Sequence, residues 1–205
     1  MGWDRVVSGW VDRVLGGFAV DEDPGGRAFD RAHGVETSWF DLGNYEPTPP
    51  SVVEAALDAV PGDPSSATFV DLGSGKGRVV LLASRRPYRK VVGVERSARL
   101  HRVAARNLAA FGPTLAPVEL VCADAEVAPL PGGPLVVWLF NPFEPAVLMR
   151  VLDRLRGRDV HLVYVVPTYL AVTGAAGYHT LARGGEEPWP WRVLGRPQPS
   201  APHRP

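Results

Sequence analysis

Five valine- and leucine-rich runs, near residues 68–72, 90–94, 117–122, 134–140 and 159–166, divide the middle of the chain. Between them lie stretches near 76–85, 97–111 and 144–156 whose apolar positions recur three or four apart. Short continuous apolar runs read as strands covered on both faces, and the three-to-four spacing reads as amphipathic helix. Their alternation predicts an α/β fold, a doubly wound and mostly parallel sheet with helices on both faces. Pro113, Pro117, Pro129, Pro131 and Pro134 punctuate the connections. Beyond Val166 the pattern changes to a short helical piece around Thr168–Val172. Two β-like runs follow, Tyr178–Ala182 and Trp189–Leu194, joined through Gly184-Gly185-Glu186-Glu187-Pro188.

The ends of the chain read differently from its middle. Trp3, Val6, Val7, Trp10 and Val14 recur on one face of a first helix, whose polar face is too poor in basic residues for a membrane-surface helix. That helix is expected to pack on the domain. A turn-rich stretch, Asp21–Gly26, follows it. Pro49, Pro50 and Ser51 then introduce a helix with Val52, Val53, Ala56, Leu57 and Val60 suited to burial. Residues 1–65 are therefore expected to form a leader with a lid-like segment, residues 66–195 the core, and the proline-rich residues 196–205 a disordered tail.

Composition bounds what this architecture can do. With 205 residues, 45% of them apolar, one substantial core is expected. No run approaches the roughly 18 apolar residues of a membrane span, and no charged-then-apolar leader opens the chain, which predicts a soluble, cytoplasmic protein. Basic and acidic side chains balance at 22 each, which disfavours nucleic acid as a partner. A local basic run, Arg96, Arg99, Arg102 and Arg106, falls mostly opposite an apolar helix face and reads as its solvated back. The single cysteine, Cys122, sits in an apolar run and is expected to be a buried thiol. The five histidines have no metal-ligand spacing, so no metal site is indicated.

The informative chemistry lies at Phe69–Arg78, FVDLGSGKGR, where an apolar strand ends in Asp71 and breaks into Gly73, Gly75 and Gly77. Glycines there let main chain approach a ligand. A dinucleotide fingerprint is not met, because Arg78 fills its third glycine slot, and a P-loop fails at Val70 and Gly77. Two more acids follow strands: Glu95 after KVVGV, and Asp124 after VELVC. A carboxylate at the second strand end can accept both ribose hydroxyls.

Acid-x-Gly-x-Gly-x-Gly at a strand end resembles the first motif of class I methyltransferases, which implies S-adenosyl-L-methionine as cofactor. It also implies a Rossmann-like sheet of seven strands closed by an antiparallel C-terminal pair. By that resemblance Asp71, Gly73, Ser74, Gly75 and Gly77 hold the methionine end, Glu95 the ribose, and Asp124 the adenine amine. The leader Tyr45-Glu46-Pro47-Thr48-Pro49 and the turn Asp71–Arg78 are also similar to a bacterial group related to protein-lysine methyltransferases. The segment Phe29–Thr37 looks like the leader of uncharacterised bacterial methyltransferases. Tyr45 and Thr48 would then lie over the methionine end.

Asn141-Pro142-Phe143 stands where amino-methyltransferases carry [DN]-P-P-[YF], but with one proline. Asn141 is a candidate to accept from an acceptor N–H, and Phe143 to wall the channel. No residue is marked by spacing as a general base, Glu144 and His33 being the nearest candidates, which favours a nitrogen acceptor over a hydroxyl. The reading is a methyltransferase acting on an amine of a protein or small molecule. An O-methyltransferase of a small metabolite and a non-catalytic binding protein of the same fold are the alternatives. Oligomeric state and acceptor identity stay open.

Overall fold

The computed structural model describes residues 23–38, 45–140 and 143–197. The expected first helix, Asn141 and most of the proline-rich tail lie outside these residues.

Seven strands and four helices build the core among the described residues, in the order the apolar runs suggest. The leader contributes α1 (Gly26–His33) and α2 (Pro50–Asp58), followed by a 3-10 turn at Pro64–Ser66 that Asp63 caps. Then come β1 (Thr68–Leu72), α3 (Arg78–Ala83), β2 (Lys90–Val94), α4 (Ala98–Phe111), β3 (Val118–Val121), β4 (Leu135–Phe140), α5 (Pro145–Arg154), β5 (Val160–Val165), α6 (Leu170–Ala175), β6 (His179–Gly184) and β7 (Trp191–Gly195).

The strands form one sheet in the order β3-β2-β1-β4-β5-β7-β6. β1 to β5 are parallel, and β7 runs antiparallel between β5 and β6. This is the doubly wound, seven-stranded sheet with an antiparallel closing pair. Alternate residues of each strand feed two separate cores. One contains Phe69, Val91, Val136, Trp138 and Val163 against α2, α3 and the Trp189–Val193 segment. The other contains Val70, Val92, Val137, Leu139 and Leu162 against Leu148, Val151 and Leu152 of α5. Because the strand order reverses between β1 and β4, their carboxyl ends part and leave a crevice at that edge.

Several elements differ from the sequence-based expectation. α1 replaces part of a stretch without apolar periodicity; it is held by Phe29 and His33, whose rings lie 4.7 Å apart and both pack near Phe111 of α4. β6 reaches Gly184, which pairs with Trp191 of β7 and lies under its ring, leaving no room for a Cβ. Cys122 is exposed, not buried. It follows β3, an edge strand of the sheet, so no strand among the described residues pairs with its far side. Arg96, Arg99, Arg102 and Arg106 are exposed, with Val103, Ala104, Asn107 and Phe111 turned inward. Arg196, at the head of the expected tail, donates to the carbonyls of Ala176 and Leu155 and lies over the Tyr178 ring.

Candidate functional site

β1 delivers Asp71 to the edge of the crevice, where register places it between Gly93 of β2 and Trp138 of β4. The chain then turns through Gly73, Gly75 and Gly77, with φ of 93°, 54° and 90°. These left-handed values exclude most side chains. The turn is locked to the next strand, because the N–H groups of Gly73 and Ser74 both donate to the Val94 carbonyl at 2.9 Å. Gly93 makes room beneath it, since a Cβ there would press on the Ser74 hydroxyl.

Glu95, at the end of β2, is drawn into the turn. One carboxylate oxygen accepts from the Gly75 N–H at 2.9 Å and the other from the Ser97 N–H at 2.7 Å. Each oxygen keeps a second lone pair for a ligand hydroxyl. Asp124 caps the turn after β3, accepting from the Glu126 N–H at 2.9 Å through one oxygen. It is exposed at the same sheet edge.

Asp71 is the electrostatic anomaly. Its side chain is buried, and burial together with the nearby Glu95 charge pushes its pKa up to about 8, with no hydrogen bond among the described residues to offset this. A cation placed beside it would relieve that cost. The buried hydroxyls of Ser74 and Thr48 have no partner among the described residues. The unrelieved carboxylate, the orphaned hydroxyls and the bare glycine backbone fit the ammonium and carboxylate of an amino-acid ligand.

The leader covers this turn. The Tyr45 ring lies against Gly75, so that a Cβ on Gly75 would run into it, and the Tyr45 hydroxyl donates to the Thr37 carbonyl at 2.8 Å. Burial pushes the Tyr45 phenol far above its ordinary pKa. Phe143 is half-buried and packs against the α5-side core, across the sheet from the leader. Phe140, Val166 and Trp189 pack instead into the core on the leader's side. Val166, at the tip of β5, takes a φ of 47°, an uncommon conformation for a β-branched residue. Of the two candidate bases, Glu144 is exposed just before α5, at the crevice edge. His33 lies by Phe111 and Arg85 at the far end of α4, away from the strand tips.

Sequence reasoning missed three residues that build the site: Lys76, Arg78 and Asn107. All three are buried. Arg78 opens a helix, RVVLLA, whose six residues are all buried. A cation at the head of so apolar a helix has to be paired, and that was the available signal. Asn107 carried none, being one polar residue at an inward helical position.

Residues 69–156 match the family model described as a methyltransferase domain. Over 150 residues the chain is 33% identical to a trans-aconitate 2-methyltransferase of an Azoarcus species, covering 68% of this chain and 52% of that protein. The chain thus spans about half the length of this curated relative. Among solved structures, an RNA methyltransferase from Salinibacter ruber in complex with S-adenosyl-L-homocysteine aligns with a TM-score of 0.57 at 23% identity, covering 76% of this chain and 97% of that one. A protein from Listeria monocytogenes described as a predicted N6-adenine-specific DNA methylase aligns with a TM-score of 0.59 at 12% identity, covering 76% of this chain and 53% of that one. Residues 69–156 thus resemble a methyltransferase domain, and the strand order is the Rossmann-like fold seen in solved S-adenosyl-L-methionine-dependent methyltransferases.

Proposed function

We propose that the protein transfers a methyl group from S-adenosyl-L-methionine to a small-molecule acceptor that is already nucleophilic, in the first place an amine. The observation that carries the cofactor assignment is Asp71, a buried carboxylate beneath a glycine turn whose charge is opposed by burial and by Glu95 among the described residues. In this reading Asp71 and the Gly73–Gly77 turn hold the methionine end, with Tyr45 and Thr48 above it. Glu95 takes the ribose hydroxyls through the lone pairs its backbone bonds leave free, and the unbonded oxygen of Asp124 accepts from the adenine amine.

When bound, the sulfonium supplies a methyl group that needs no further activation. The chain's task is then to hold and aim the acceptor, and such positioning is worth on the order of 7–11 kcal/mol of barrier. Asn141 is assigned the acceptor N–H. The half-buried Phe143, against the α5-side core, is assigned to the acceptor side of the crevice. With His33 remote, Glu144 is the candidate base left at the crevice edge, and an acceptor that needs no deprotonation would not depend on it.

A second acceptor chemistry has its own support. The curated relative is a trans-aconitate methyltransferase, and a carboxylate oxygen, like an amine, is nucleophilic without a base. The kinship with protein-lysine methyltransferases rests on the Tyr45–Pro49 and Asp71–Arg78 motifs alone. Incubation with methyl-labelled cofactor and fractionated metabolite, protein and RNA pools tests the assignment. Label in the metabolite pool, stable to base if on nitrogen and base-labile if an ester, is the expected result. Label confined to protein or RNA would overturn the acceptor class, and no label in any pool would leave a binding protein.

A further inference from the structure

Lys76 and Arg78 flank the last glycine of the turn, yet both face away from solvent and into the leader. Lys76 has no exposed surface and Arg78 keeps 2%. The Arg78 guanidinium donates to both carboxylate oxygens of Asp23 at 2.5 and 2.8 Å. It also donates to the Thr37 hydroxyl at 2.7 Å, the Ser38 hydroxyl at 3.1 Å and the Thr48 carbonyl at 3.2 Å. The Lys76 ammonium donates to the Ser38 carbonyl at 2.9 Å and pairs with Glu36 at 3.3 Å. From α4, the Asn107 amide accepts from the Glu36 N–H at 2.8 Å and donates to the Glu36 and Lys76 carbonyls at 3.0 and 2.9 Å.

Glu36 is largely exposed, so the buried pair is Arg78 with Asp23; such a pair adds little stability over apolar replacements, but a planar guanidinium with several fixed partners accepts only one placement of the segment it holds. That placement reaches the ligand site by a short route. Arg78 bonds the Thr37 side chain, the Thr37 carbonyl accepts from the Tyr45 hydroxyl, and the Tyr45 ring rests on Gly75. Arg78 also holds the carbonyl of Thr48, whose own hydroxyl is buried without a partner among the described residues.

We propose that Lys76 and Arg78 are positioning residues that fix leader residues 23–38 and 45–48 to the glycine turn. Tyr45 and Thr48 then form a permanent roof over the amino-acid end of the cofactor, and this part of the leader does not open as an independent lid. The proposal rests on the cofactor reading above.

Full-length wild type, Asp23→Asn and Arg78→Lys, titrated with S-adenosylhomocysteine and with methylthioadenosine, which lacks the amino-acid end, separate the possibilities. The expected result is a loss of roughly tenfold or more in affinity for S-adenosylhomocysteine, with affinity for methylthioadenosine unchanged. Equal losses for both ligands, or none for either, would refute the positioning role while leaving the cofactor reading intact. A wild type that binds neither ligand sinks both. Should the variants not fold, hydrogen exchange on the wild type decides. The Thr37 and Ser38 amides should be equally protected with and without S-adenosylhomocysteine, and protection that appears only on adding it would mean a closing lid.

Discussion

Asp71 pays for its position with a proton. Its folded pKa of about 8 lies above the ordinary 3.8, so the folded state keeps a proton that the unfolded chain has released between those values. Stability attributable to this group therefore falls as pH rises through that window, and the cost is complete above about pH 8. Asp71→Asn should flatten this slope, raising the melting temperature relative to wild type most at pH 8 and above, while weakening S-adenosylhomocysteine binding. Thermal melts across pH check it; a wild type that gains stability over the same range, with no flattening in the variant, would contradict the burial argument. Gly75→Ala carries two penalties, the left-handed φ of 54° and the Tyr45 ring. Gly34→Ala, at a φ of 64° with open space around it, carries the first alone, about 1 kcal/mol. Urea unfolding should rank Gly75→Ala as clearly the more damaging. Asp71, Glu95 and the glycines were legible because a strand end, an acid and bare backbone follow one another in sequence. The bonds Glu95 makes were not, since its partners Gly75 and Ser97 are set by the packing of β1 beside β2.

Among the elements, the join between leader and turn is the sensitive one. Arg78→Met would remove the guanidinium from which both oxygens of the buried Asp23 carboxylate accept, a change worth up to about 3–5 kcal/mol. Arg150→Met, which breaks an exposed pair with Glu126, should leave the unfolding midpoint unchanged. Denaturant midpoints of the two variants check the contrast, and equal losses would deny the leader its anchoring bonds. The five parallel strands were readable to within a residue or so, because four of them are short apolar runs largely buried on both faces, and the partly buried β3 still carries Val118, Leu120 and Val121. α1 was not, because it buries little and is held by Phe29, His33 and the Asp30 carboxylate, which accepts from the Thr37 and Ser38 N–H groups. Those contacts are tertiary or turn-specific and leave no periodicity. Cys122 misled for a related reason: an apolar run does not reveal that its strand lies at the sheet's edge.

For the molecule as a whole, one sheet carries the site at the edge where β1 and β4 part, with the leader bound over the first turn. No helix among the described residues is long and apolar enough to cross a membrane. This edge is assigned the amino-acid and nucleoside ends of S-adenosyl-L-methionine. A cationic ammonium beside Asp71 favours its ionised form, so ligand binding should release a proton below about pH 8 and tighten as pH rises toward that value. Calorimetric titration of the full-length protein with S-adenosylhomocysteine, at several pH values and in buffers of different ionisation heat, measures both effects at once. The account predicts saturable one-to-one binding with Kd on the order of micromolar, accompanied by proton release that fades above pH 8. Absence of binding at millimolar ligand would contradict it.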